Sequence, residues 1–139
     1  MKISNYLPVI NKENAILLKK LHYDLPTYLC YSDSDDDVLP YNAGNEMYNN
    51  ALDVGYYAAP LVEETIKWLR DKHKIYVVYT TFSSKFRAAI GIRHQWRVEA
   101  LKEEEGTWVY NKRVDDYDIE EGKQKIVTEA LNYLLNQKE

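Results

Sequence analysis

Residues 60–98, PLVEETIKWLRDKHKIYVVYTTFSSKFRAAIGIRHQWRV, contain the change of period that decides the fold. Over 60–73 the apolar residues return at helical spacing, with Leu61, Val62, Thr65, Ile66, Trp68 and Leu69 on one face. Pro60 is read at the first helical position, where its missing N–H removes nothing. Glu63 and Glu64 near the start, and Arg70, Lys72 and His73 at the end, complement the helix dipole. Glu63 and Lys67 have the spacing of a favourable i,i+4 pair. From Lys74 the period drops to two. Both faces of 74–82 are apolar, which predicts a central strand. Ser83-Ser84-Lys85 reads as a turn. From Phe86 to Val98, Phe86, Ala88, Ile90, Ile92, His94, Trp96 and Val98 alternate with Arg87, Ala89, Gly91, Arg93, Gln95 and Arg97. That pattern gives a strand one buried and one wet face.

Upstream, Asn11 is placed to cap a helix over 12–22 that buries Ala15, Leu18 and His22, and Pro26 closes it. Residues 27–31 read as a short strand. The stretch from Ser32 to Gly55 is rich in Asp, Asn, Gly and Pro and reads as a long excursion, with a short helical turn around 46–52. Downstream, 107–113 reads as a further strand returning through a loop at 102–106. Asp118 and Glu121 have capping-box spacing before a last helix running to about Asn136. Its buried stripe is Ile119, Ile126, Val127, Ala130, Leu131 and Leu134. The expected fold is α+β: one domain over 1–139, with an antiparallel sheet of about four strands and three helices mainly on one of its faces.

Composition narrows the function classes. A 45% hydrophobic and 29% charged chain is that of an ordinary globular domain, not a disordered one. Cys30 is the one cysteine, so neither an intrachain disulfide nor a cysteine-rich metal site is possible. No apolar run reaches the roughly 18 residues of a membrane span, and the first residues lack a signal-peptide core. The expected location is the cytoplasm, with no membrane partner. Tyrosine is overused, at 13 against 2 Phe. Its amphipathic ring suits both half-buried strand surfaces and contact surfaces.

The net charge of −4 is uneven. Residues 1–58 carry 8 acids and 4 bases, 59–101 carry 4 and 8, and 102–139 carry 10 and 6. The basic middle concentrates in Arg87, Arg93 and Arg97, spaced along one strand face at about 7 Å per two residues, with Lys85 and Gln95 on the same side. Arg87, Arg93, Gln95 and Arg97 are the candidate binding surface, able to hold single-stranded nucleic acid by charge and stacking. A solvated sheet face paired with neighbouring acids is the plainer alternative. Aspartates at 33, 35 and 37 start like a calcium loop, but Val38 and Gly44 stand where the loop needs Gly and Glu. A solvated acidic loop fits better. His94, between Ile92 and Trp96, supports a small enzyme only if a pocket opens beside it; a half-buried rim histidine is the ordinary reading. No phosphate loop, nucleophile elbow or zincin spacing is present. No catalytic residue, metal ligand or cofactor is therefore assigned.

The segments Tyr57-Ala58-Ala59-Pro60, Trp68-Leu69-Arg70-Asp71-Lys72-His73 and Ile75-Tyr76-Val77 resemble a group of small proteins of unknown function from phages and integrated elements of gut Bacteroidetes. The resemblance covers most of 11–135 and extends to the final helix at Glu129-Ala130-Leu131; it departs across 32–55. It implies a shared layout and brings no catalytic residues with it. The resulting expectation is a non-enzymatic accessory protein working through protein–protein contact, including self-association. Nucleic-acid binding is the alternative, and an enzyme at His94 the further one.

Overall fold

The computed structural model describes residues 8–40, 48, 54–86, 89–102, 107–116 and 119–137; for 80–86, 89–102, 107–113, 115–116 and 119 it describes the backbone alone. The chain is α+β, with three helices and antiparallel sheets among the described residues. Its contacts gather Met1–Thr65 and Leu131–Glu139 into one compact unit and Ile66–Ala130 into another.

In the first unit, α1 spans Lys12–Lys20. The side chain of Asn11 accepts the N–H of Asn14 at 2.9 Å, as its sequence position predicts. The helix ends earlier than 22. The Tyr23 N–H donates to Leu18 O at 3.0 Å and the His22 N–H to Lys19 O at 3.1 Å, the paired bonds of a Schellman ending. His22 takes the left-handed position at φ 60° that glycine usually fills, so it is exposed and not part of the buried stripe. Beyond it, β1 (Leu29–Ser32) pairs antiparallel with both β2 (Leu39–Pro40) and β3 (Tyr56–Ala58). Cys30 and Ala58 are fully buried at the centre of this small sheet. α1 packs against β3. Lys19 Nζ donates to Tyr56 O at 2.6 Å and lies 5.3 Å from the Tyr57 ring centre.

α2 spans Val62–His73. Pro60 lies before its cap rather than at its first position. Leu61 is the cap, its carbonyl accepting the Thr65 N–H at 3.1 Å. The Glu64 carboxylate accepts the Leu61 N–H at 2.9 Å, the returning half of a capping box. Lys74, at φ 56°, ends the helix with its N–H on Arg70 O at 3.2 Å.

The second unit holds a meander of β4 (Ile75–Phe86), β5 (Ala89–Lys102) and β6 (Thr107–Asp116), in the order β4-β5-β6. The single sheet of about four strands is therefore replaced, among the described residues, by two sheets of three. The 27–31 segment pairs with β2 and β3 instead of joining the meander. β5, not 74–82, is the central strand of its sheet. Ser83, Ser84 and Lys85 are not a turn; they pair with Ile92, Gly91 and Ile90. Phe86 closes β4 opposite Ala89. α3 follows over Ile119–Gln137. Ile126, Val127, Ala130 and Leu131 are fully buried, and Leu134 is buried. Of the loop expected at 102–106, Lys102 instead ends β5 and 103–106 lie outside the described residues, as do Asp118 and, apart from Tyr48, the helical turn expected at 46–52.

Candidate functional site

The first unit contains an apolar cleft of about 380 Å3. Its walls come from three stretches of chain: Val9; Pro26, Thr27, Tyr28 and Leu29; and Ala59, Pro60, Leu61 and Glu64. Backbone hydrogen bonds lock these stretches together. Val9 bridges Leu61. On either side of that bridge the Ile10 N–H donates to Pro60 O at 3.1 Å and the Val62 N–H to Pro8 O at 2.8 Å. The Ala59 N–H donates to Leu29 O at 2.9 Å, extending the β1–β3 ladder into the wall. The two prolines bring ring carbon and no backbone donor.

Four side chains give the cleft its chemistry. Tyr28, 57% exposed, and Leu61, 37% exposed, present apolar surface at its mouth. Thr27 is buried, and its hydroxyl has no hydrogen-bond partner among the described residues. A buried hydroxyl without a partner is unfavourable. Glu64 is exposed and uses one oxygen on the Leu61 N–H. It forms no ion pair among the described residues. Its charge reaches the Tyr23 hydroxyl, which is held well above the ordinary phenol range by burial first, then by Glu64 and Asp24.

A lysine reaches the acidic loop. Lys12 Nζ donates to the main-chain Asp33 O at 3.2 Å and Asp35 O at 3.0 Å, and lies 3.9 Å from Asp36 Oδ1. Tyr57 donates to Asp33 Oδ1 at 2.8 Å, which raises the tyrosine's own pKa. Gly55, at φ 91°, passes so close that a Cβ there would stand 3.0 Å from Asp33 Oδ2. Among the described residues no three His, Cys, Asp or Glu side chains group to hold a metal.

The basic stripe is only partly reproduced by the register. Arg93 stands opposite Phe82, Gln95 between Thr80 and Asp115, and Arg97 between Val78 and Arg113. Positions 93, 95 and 97 share one face of β5. Lys85 does not: it belongs to β4 opposite Ile90, and so to the other face. Arg87 and the side chains of Arg93, Gln95 and Arg97 lie outside the described residues, as does that of His94, whose backbone pairs with Thr81 and Asp116. Cys30 is buried, and burial pushes its thiol pKa up, which disfavours the reactive thiolate.

No helix among the described residues is long and apolar enough to cross a membrane. No protein-family model, no curated protein and no solved structure matches the chain.

Proposed function

We propose that this protein works by contact, as a non-enzymatic accessory protein of a phage or mobile element, acting in the host cytoplasm on a protein partner. The observation that carries the reading is the apolar cleft with Tyr28 and Leu61 exposed at its mouth. Exposed tyrosine beside an apolar recess has the make-up of an interface centre, where aromatic anchors dominate binding. The resemblance across 11–135 supports the biological setting. Capture of binding proteins with wild-type and Tyr28→Asp baits tests the contact. A protein held by the wild type and lost from Tyr28→Asp is expected; identical capture by both baits would overturn the reading.

One observation favours nucleic acid as a second reading. Arg97 and Arg113 are directly opposite on adjacent strands, and like charges there repel unless an anion or acid lies near. Positions 93, 95 and 97, on one face of β5, would then follow a phosphate backbone. A single-stranded oligonucleotide should then bind wild type at low salt and release as salt rises, with Arg93→Glu weaker. Absence of any shift at low salt sinks this reading.

A further inference from the structure

We propose that the cleft walled by Val9, Thr27, Tyr28, Ala59 and Leu61 receives an apolar side chain from a protein segment that carries a lysine or arginine beside it. The inference rests on the contact reading above and adds the chemistry of the partner. Two features select that chemistry. The walls are apolar, so the entering group is an aliphatic or aromatic side chain. The volume of about 380 Å3 lies at the small end of the roughly 300–1,000 Å3 range of ligand clefts, which suits one or two side chains of a chain passing over it.

The second feature is Glu64 on the rim, with no ion pair among the described residues and with one oxygen already spent on the Leu61 N–H. A cation beside the apolar group meets this carboxylate, whereas an acidic residue there is repelled.

The test uses three blocked tetrapeptides with the same Leu-Leu centre, flanked on both sides by lysine, serine or glutamate, titrated into the full chain by NMR. The amide signals of Thr27, Tyr28, Ala59 and Leu61 are followed. The lysine peptide is expected to move these signals and to bind about two- to five-fold more tightly than the serine peptide, with the glutamate peptide weakest. Raising the salt narrows the spread. Glu64→Gln keeps an oxygen for the Leu61 N–H and removes the charge, so it should abolish the lysine preference while the serine peptide still binds. The proposal is overturned if no peptide moves those signals, or if the glutamate peptide binds as tightly as the lysine one. It is also overturned if the same signals move on dilution without peptide, which would make a second copy the occupant. A flat peptide order alongside Tyr28-dependent capture removes only the partner chemistry. Capture that ignores Tyr28→Asp removes the contact reading itself.

Discussion

Raising the pH above about 10 should destabilise this protein steeply, and Tyr31 should account for about 3 kcal/mol of the loss. The Tyr31 hydroxyl is buried and donates to Ile10 O at 2.7 Å. Burial, with a smaller contribution from the charge of Asp37, pushes its pKa up to about 12. The unfolded chain releases that proton near pH 10, whereas the folded chain holds it two units longer. The stabilisation is therefore complete below about pH 10 and is lost as the pH climbs through about 12. Tyr23, held high by burial and by Glu64 and Asp24, adds in the same direction. Against a typical total of roughly 5–15 kcal/mol, the loss is large enough to unfold much of the protein. Urea midpoints from pH 8 to 12, with tyrosinate absorbance alongside, measure it. Tyr31→Phe supplies the contrast. It strips Ile10 O of its donor and should cost about 1–3 kcal/mol at pH 8, yet it should flatten the alkaline fall. A midpoint that does not move up to pH 12, or a Tyr31→Phe variant with the wild-type slope, would contradict this account.

The long elements were legible because their periods had room to repeat. α2 shows an apolar stripe with acids first and bases last, and β5 shows its alternation over many residues. The hairpin between β4 and β5 was not legible in detail. Ser83-Ser84-Lys85 carries turn-like polarity, yet these residues pair with Ile92, Gly91 and Ile90, and no glycine or asparagine of the kind that marks a tight turn stands between Lys85 and Ile90 in the sequence. β2 and β3 have two and three residues, too few for a period to appear. Their pairing with β1 is what moves the 27–31 segment out of the expected larger sheet.

The cleft was hidden for a different reason. Its walls lie near positions 9, 26–29 and 59–64, and no short motif spans such distances. Pro26 and Pro60 were readable only as punctuation around helices, whereas in the fold they are wall residues. Glu64 could have been found: it stands three residues after Leu61, the spacing of a capping box. Leucine at the cap position, in place of serine or threonine, concealed it. The two left-handed helix ends were concealed in the same way, because His22 and Lys74 hold positions where glycine would have announced the stop.

Leu18→Ala should destabilise the first unit by about 2–5 kcal/mol, the usual result of emptying a fully buried leucine site. Leu18 lies on the face of α1 that also buries Ala15, and its carbonyl accepts the Tyr23 N–H that closes the helix. Truncation leaves a void beneath that ending, which the short helix has little means to refill. The effect should reach the cleft. α1 packs on β3, Lys19 bonds Tyr56 O, and β3 runs directly into Ala59 and Leu61. The Ala59 amide, bonded to Leu29 O, should therefore exchange with solvent faster in Leu18→Ala under conditions where the protein is still folded. Leu18→Met keeps most of the volume and should cost less than about 1.5 kcal/mol, with Ala59 exchange near wild type. Lys20→Ala, on the exposed side of the same helix, should change stability by no more than about 0.5 kcal/mol. Equal exchange at Ala59 in all three variants would mean that the cleft wall is held by the β1–β3 ladder and the Val9–Leu61 bridge alone, with α1 contributing nothing to it. A graded response places the rigidity of the cleft in the packing of a helix that does not line it.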